Sequence, residues 1–401
     1  SNGVSLNDCV ETGPNLIASL TEVLMRFRRW KVALTADITK AFLQISVRRA
    51  DRDVHRFLWS HQGQVKVMRF LRVPFGNRCS PFLLCATLQH HLSSVPSSHV
   101  VEELQENLYV DDWLSGEDSD EEACDMIVES SEVMDQANMS LAKWGSNSEA
   151  VGELLQREFQ DKMVEGEVVK VLGMKWLATL DCFTFDGVQV PSGLLVTKRV
   201  VLSFIARLFD PLGFAAPFVM NAKCIYQDLW KGGFQWDDPV PVEVQAKFLR
   251  WVDGLECLRQ WQIPRNYTGG AWRDIRHLQL HAFGDASEKG YGAAVYLRAE
   301  LSDGSVSSSL VVAKAKVAPL KRVTLPRLEL LGSLLCARLL VFVRQALKLP
   351  LETEYRCWTD SMVALAWIQS DPSRWKAFVA NRVTEIQDLT APDHWFHCPG
   401  C

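Results

Sequence analysis

Apolar and polar positions along the chain fall into two rhythms, one of period two and one near 3.6, and their order predicts the elements. Residues 29–47, RWKVALTADITKAFLQISV, are β-branched and apolar on both sides of Asp37. That predicts a strand which breaks at the acidic residue and then resumes or becomes a helix. Residues 65–92 read as a strand, a Pro/Gly loop and an apolar helix from Ser80. NLYVDDWLSG, residues 107–116, reads as a hairpin with Asp111 and Asp112 at its turn. Ala123, Ile127, Val133, Met134 and Ala137 recur at helical spacing, which predicts a helix with an acidic outer face within 118–143. VVKVLGMKWL reads as one strand. TKRVVLSFIARLFDPLG, 197–213, reads as an amphipathic helix stopped by Pro211. Residues 218–266 look helical and rich in Trp, ending in IPRNYTGG, a predicted linker.

The pattern then changes. LQLHAFGDAS, GYGAAVYLR and SSSLVVAKAKV read as three successive strands. A long helix follows, with Thr324 at its N-cap and Pro326 in its first turn. After it come a strand YRCWTD, helices over about 361–369 and 374–389, and a strand HWFHC. This order predicts an α/β layer of its own.

A chain of 401 residues predicts two or three domains. With 48% hydrophobic and 23% charged residues it is globular in composition, and no apolar run is long enough to span a membrane. The start, SNGVSLNDCV, carries no signal-peptide pattern, and the abrupt ends read as those of a piece of something longer. The eleven Cys are mostly single and in apolar settings, as expected of buried free thiols in a reducing compartment. Cys398 and Cys401 form one C-x-x-C without a second pair, too little for a zinc site. The net charge of −5 hides an asymmetry. Residues 26–78 hold thirteen Lys and Arg against three Asp, while residues 117–135 hold nine Asp and Glu and no Lys or Arg. A basic stretch of this kind is a phosphate-backbone candidate or a solvated face; the acidic one reads as a solvated face.

Asp111 and Asp112 need an explanation, because adjacent carboxylates in an apolar stretch repel and are costly to desolvate. If Asp37 on a neighbouring strand meets them, the oxygen-only set suits Mg²⁺, and a pair of such ions supports in-line nucleotidyl transfer. A second set is Asp285, Glu329 and Asp360: an Asp on a first strand, a Glu on the following helix and an Asp ending a fourth strand can converge at one sheet edge.

ADITKAFLQI, VPFGNRCSP and YVDD together resemble the three palm motifs of reverse transcriptases. The resemblance implies Asp37, Asp111 and Asp112 as catalytic metal ligands, Phe42 as the aromatic gate against a ribose 2′-hydroxyl, Gly76 as backbone support for template and incoming base, and Tyr109 as a primer contact. VLGMKW resembles the primer-grip strand; Lys143 reads as a general acid or a solvated side chain. SLNDCVETGPNL, RFLRVPFGNRCSPFLL, KRVVLSFIARLFDPLGFAAPF and LWKGGFQWDDPVP resemble the BEL/Pao class of long-terminal-repeat retrotransposon polyproteins over nearly the whole chain. That implies a mixed α/β (α+β) architecture: partial fingers and palm over 1–180, thumb/connection over 181–270 and a ribonuclease H-like mixed-sheet domain over 271–401. It also implies Asp285, Glu329 and Asp360 as a second catalytic, metal-holding set with Ser361 orienting the site or capping a helix, and Lys314, Lys316, Lys321 and Arg322 as phosphate contacts or solvated side chains. Two Mg²⁺ ions (or Mn²⁺) per site are implied as cofactors. The implied partners are RNA template, DNA primer, RNA–DNA hybrid, dNTPs and other segments of the parent polyprotein, with no membrane. The implied location is the cytoplasm, in a virus-like particle, or the nucleus.

In the family a fourth carboxylate follows the fifth strand and basic strands of the fingers precede the first palm motif; this sequence stops at Cys401 and starts close to that motif, so weak or absent hybrid cleavage and incomplete fingers are the expectation for this piece, against both activities for its parent. Three other readings stand beside this one: a decayed or co-opted element that binds nucleic acid without chemistry, an aspartic peptidase in the 197–266 region, and a DNA-templated polymerase. The second lacks the D-[ST]-G loop it would need, since neither D-T-G nor D-S-G occurs, and the ribonuclease H-like tail argues for RNA against the third.

Overall fold

The computed structural model describes residues 3–160, 168–187, 191 and 193–399. Cys401, and with it the terminal C-x-x-C, lies outside them. The chain forms two compact units, residues 1–23 with 32–166, and residues 24–31 with 167–401.

In the first unit, α1 (Leu6–Cys9) and the start of α2 (Leu20–Phe27), whose residues 24–27 belong to the second unit, precede β1 (Val32–Ile38). The short α3 (Ala41–Gln44) follows, then the hairpin β2 (Arg56–His61) and β3 (Gln64–Arg69). Next come α4 (Ser80–Ser94), α5 (His99–Asn107), β4 (Leu108–Tyr109), β5 (Asp112–Glu117), α6 (Asp120–Asp135), β6 (Leu141–Ser146) and α7 (Glu149–Glu158). The sheet runs β4-β5-β1-β6. Its central strand β1 is covered on both faces, which is why its sequence reads as a nearly unbroken apolar run. Leu34, Leu104, Trp113, Ile127 and Leu141 make the core between sheet and helices. Helix starts follow local chemistry: Ser98, Ser119 and Ser148 each accept a hydrogen bond from a first-turn N–H of α5, α6 and α7.

In the second unit β7 (Val168–Val171), β8 (Met174–Leu177), β9 (Cys182–Thr184) and β10 (Ile263–Pro264) form a sheet in the order β10-β9-β8-β7. The single strand expected over 168–177 is therefore a hairpin. Its turn residues Leu172 and Gly173 both have positive φ, 47° and 90°, the geometry of a two-residue turn matched to strand twist. Three helices follow, α8 (Lys198–Arg207), α9 (Ala216–Lys231) and α10 (Val242–Leu258). The first ends at Arg207 rather than at Pro211: Leu208 is already extended, and Asp210 is engaged in the turn that follows. Its carboxylate accepts the N–H groups of Phe214 (2.9 Å) and Ala215 (2.8 Å) and so fixes the turn that leads into α9.

The expected linker IPRNYTGG is not one. Arg265 is 0% and Tyr267 1% exposed. The Arg265 guanidinium donates to the carbonyls of Phe27 (2.7 Å), Trp30 (2.8 Å) and Lys31 (3.1 Å) and to Asp181 (2.6 and 2.8 Å). Asn266 donates to the Trp30 carbonyl at 2.9 Å. A buried guanidinium is tolerated only when all its donors are used in this way.

The rest of this unit is a five-stranded sheet, β13-β12-β11-β14-β15, made of β11 (Ile275–Ser287), β12 (Gly290–Leu301), β13 (Val306–Val317), β14 (Glu354–Thr359) and β15 (Trp395–His397). β14 runs parallel to both β11 and β15; the other pairs are antiparallel. Helix α11 (Leu325–Ala346) lies across it, with α12 (Met362–Ile368) and α13 (Ala377–Leu389) beyond. Thr324 stands at the N-cap of α11 as expected, although its side chain makes no capping bond.

Candidate active sites

The first site grows from the β4–β5 turn. Tyr109 pairs with Asp112, so Val110 and Asp111 make a two-residue turn. Val110 sits at φ 59°, a left-handed conformation that costs a β-branched residue about 1–3 kcal/mol. The strained turn puts Asp111 and Asp112 next to β1: Asp112 is opposite Asp37, and the Ile38 N–H donates to the Asp111 carbonyl at 2.8 Å. Desolvation raises the carboxyl of Asp111, and the Asp37 charge adds to it. Asp112 is pushed up to about 6, by desolvation first and then by Asp111 and Asp37. Lys143 donates to Asp37 Oδ2 at 3.0 Å, and that bond raises the ammonium above its ordinary value. The Lys143 side chain is solvated, 66% exposed, which is one of the two roles read from the sequence, and it is in addition the counter-ion of Asp37.

Phe42 is buried on α3, edge-on to Phe75 at 5.1 Å. Gly76 has φ 89° with open space where a Cβ would go, so it is conformation and not crowding that calls for glycine. Its carbonyl accepts from Asn7 Nδ2 at 2.9 Å, and Asn7 Oδ1 in turn accepts from the Arg78 N–H at 2.9 Å. Nothing in the sequence pattern singles out Asn7.

The second site lies where β11, α11 and β14 meet. Asp285 is near the end of β11, Glu329 is in the second turn of α11 and Asp360 follows β14. One ligand atom from each lies within 4.8 Å of the others. Among the described residues no second set of three metal-ligating side chains is gathered this closely; the Asp37, Asp111 and Asp112 oxygens are less drawn together. Two glycines make the approach possible. A Cβ on Gly284 would stand 2.8 Å from the Gly332 carbonyl, and one on Gly332 would stand 2.8 Å from the Asp285 carbonyl. Strand and helix thus touch backbone to backbone, and Glu329, three residues before Gly332, comes up to Asp285. A glycine inside a strand pattern and another inside a helix pattern are the signal that could have foretold this.

Glu329 is only 7% exposed, and its Oε2 is buried without a hydrogen-bond partner. Its carboxyl is pushed up to about 7 by desolvation, then by Asp360 and Asp285. Desolvation and Asp360 also raise Asp285, whose Oδ1 accepts the Ala286 N–H at 2.7 Å. An orphaned buried carboxylate oxygen among three acidic groups is the arrangement a hard divalent cation fits. Ser361 caps α12 by accepting the Ala364 N–H, which favours capping over a metal-orienting role. His397, not singled out from the sequence, has its Nε2 3.1 Å from the Asp360 carbonyl.

Three of the five aspartates in the supposed peptidase segment are occupied in local structure: Asp210 accepts the Phe214 and Ala215 N–H groups, Asp237 pairs with Arg199 at 2.8 Å, and Asp238 accepts the Gln235 N–H at 2.8 Å.

Residues 5–147 match the family model described as reverse transcriptase (RNA-dependent DNA polymerase), and residues 197–361 match that described as Pao retrotransposon-like RNaseH-like domain. No curated protein matches the chain. Among solved structures, the foamy viral protease-reverse transcriptase dRH in complex with double-stranded DNA is similar at TM-score 0.59 and 16% identity, over 98% of this chain and 61% of that one. The same viral enzyme with double-stranded DNA gives TM-score 0.56 at 16% identity over 98% and 72% of the two chains. With RNA/DNA hybrid it gives 0.52 at 15% identity over 96% and 46%. This chain thus spans less than two thirds of the length of the first of these relatives. The fold is a polymerase palm followed by a ribonuclease H-like mixed sheet, as the sequence predicts.

Proposed function

This chain belongs to the Pao-type retrotransposon reverse transcriptases, carrying a Pao retrotransposon-like RNaseH-like domain, and we propose that it copies RNA into DNA and cuts the RNA strand of the resulting hybrid. The convergence of Asp285, Glu329 and Asp360, with an unpartnered buried oxygen among them, is the observation that carries the reading.

At the first site, Asp37, Asp111 and Asp112 would hold two divalent cations, Mg²⁺ or Mn²⁺; at the second, Asp285, Glu329 and Asp360 would hold another pair. Such ions, when bound, lower the pKa of the attacking hydroxyl or water and offset charge on the leaving oxygen. In extension, the primer 3′-oxygen bonds to the α-phosphorus of a dNTP as the bond to pyrophosphate breaks. In cleavage, a water oxygen bonds to the RNA phosphorus as the bond to the ribose 3′-oxygen breaks, and that oxygen takes up a proton.

The chain's own residues position these events. The Val110 turn aims Asp111 and Asp112 at β1, and Lys143 neutralises Asp37 until substrate arrives. Tyr109 steadies the primer end, the Phe42 ring crowds a 2′-hydroxyl, and the backbone at Gly76 supports the template base. Residues 181–270 grip the duplex as thumb and connection, and the protein works inside a cytoplasmic virus-like particle with the other products of its polyprotein. RNA template, DNA primer and dNTPs are its substrates.

Two substitutions test the assignment. Asp111→Asn should abolish primer extension and leave hybrid cleavage; Asp360→Asn should do the reverse. Loss of both activities in either variant, with the fold intact by circular dichroism, would break the two-site reading.

A further inference from the structure

Away from both carboxylate sets, the second unit holds a cavity of about 1170 Å³ between α9, α10, the β11–β12 turn and the segment leading into α11. Its helical wall is one face of α9, with Phe218, Asn221, Ile225 and Asp228 at the successive spacings of a helix. The floor is apolar, formed by Phe218, Trp251 and Leu328. The rim is basic: Lys231, Lys247, Arg250, Lys289 and Arg322 are all exposed there, against two acids, Asp228 and Glu288. Lys231 pairs with Asp228 at 3.8 Å. Lys247, Arg250, Lys289 and Arg322 have no ion-pair partner among the described residues, so four cations converge on one cavity without internal neutralisation.

Most exposed Lys and Arg on a protein face water with like charges spread apart, because crowding them is unfavourable. Here α10 contributes Lys247 and Arg250 one turn apart, the β11–β12 turn contributes Lys289 and the approach to α11 contributes Arg322. Elements distant in sequence had to meet to assemble the rim. The cavity also adjoins the second carboxylate set in sequence. Leu328 of its floor is followed by Glu329, and Glu288 of its rim lies three residues after Asp285.

We infer that this cavity seats the sugar–phosphate backbone of one strand of the nucleic acid as it passes the Asp285–Glu329–Asp360 site. The apolar floor takes the sugars and the four free cations take consecutive phosphates. The inference rests on the function proposed above and adds to it a seat built largely by α9 and α10, outside the five-stranded sheet. Charge complementarity selects the ligand: a run of phosphates neutralises four cations at once and releases the counter-ions it carried.

The test is binding of a fluorescein-labelled RNA–DNA hybrid to the full chain in EDTA, read by anisotropy over a range of salt. The variants are the double charge reversals Lys247→Glu/Arg250→Glu and Lys289→Glu/Arg322→Glu, and the milder Lys247→Gln/Arg250→Gln, with thermal melting as the folding control. Each pair should weaken binding tenfold or more near 0.1 M salt. Each should also lower the slope of log affinity against log salt by about 0.7–0.9 for every phosphate the variant no longer neutralises. A hybrid with methylphosphonate linkages at the matching positions should bind the wild type and the Gln pair equally. If the wild type binds and both affinity and slope persist in the variants, the cavity is not the strand's seat, although the proposed function stands. Should a reversal unfold the protein, the Gln pair decides by the same two readouts. If the wild type itself shows no hybrid binding, the proposed function fails first. Variant-sensitive binding to phosphatidylserine vesicles with hybrid binding intact would assign the cavity to a membrane surface and overturn the inference.

Discussion

Removing the charge of Glu329 should stabilise the protein when no divalent cation is present. Its carboxyl is raised from 4.5 to about 7, so the folded state favours the proton more than the unfolded chain does. At 1.36 kcal/mol per tenfold change, that corresponds to about 3 kcal/mol, or about 2 kcal/mol after screening at an open sheet edge. The sign follows from linkage. A raised carboxyl contributes stability that is present below pH 4.5 and is lost as pH rises through about 7. Glu329→Gln cannot ionise. In EDTA it should lie about 1 kcal/mol below the wild type near pH 4.5, the cost of an amide at the buried Oε2 position, and exceed it by about 1–2 kcal/mol at pH 8. For a unit of this size that is a rise in Tm of about 2–8 °C. Millimolar Mg²⁺ should then close the gap by raising the wild type and not the variant. The measurement is thermal melting by circular dichroism over pH 4.5–8, with EDTA or MgCl₂. Equal melting at pH 8 in EDTA, or an equal response of both proteins to Mg²⁺, would refute the argument that three like charges are held together for a cation.

Phe42→Val should admit ribonucleotides in primer extension, and unchanged sugar selectivity would remove Phe42 from the gate. Gly332→Ala places a methyl group 2.8 Å from the Asp285 carbonyl, so α11 must shift; we expect a loss of about 1–3 kcal/mol and of hybrid cleavage, with extension kept, by urea unfolding and both assays. Arg265→Met takes the guanidinium from Asp181, which keeps the Trp176 indole N–H, and from the carbonyls of Phe27, Trp30 and Lys31, of which Trp30 keeps Asn266, and should cost about 3–5 kcal/mol in urea unfolding; a cost below about 1 kcal/mol would mean that the buried cluster is replaceable.

Local signals were readable from the residues. Ser and Thr caps, the strand pattern around Asp285 and the hairpin at the Asp pair each depend on neighbours in sequence, although the turn itself is Val110–Asp111 and Asp112 already belongs to β5. What escaped depends on distant partners. Leu172 and Gly173 look like part of a strand until their positive φ values are seen, since Leu seldom adopts one. IPRNYTGG has the composition of a linker, and only the carbonyls of Phe27, Trp30 and Lys31 show why its Arg is buried. Lys143 gave no hint that it would meet Asp37, 106 residues away. Gly284 and Gly332 stand out as glycines inside a strand and a helix, but that each admits the other element's backbone appears only when strand and helix are placed face to face.

The grip of Arg265 on residues 27–31 also bears on how the chain can be made. That early segment has its anchor more than two hundred residues downstream, so on the ribosome it must wait, unsecured, until the anchor has emerged. A split gene expressing 167–401 alone would yield a product missing part of its own interior, and co-expression with a peptide spanning 24–31 would be the way to rescue it.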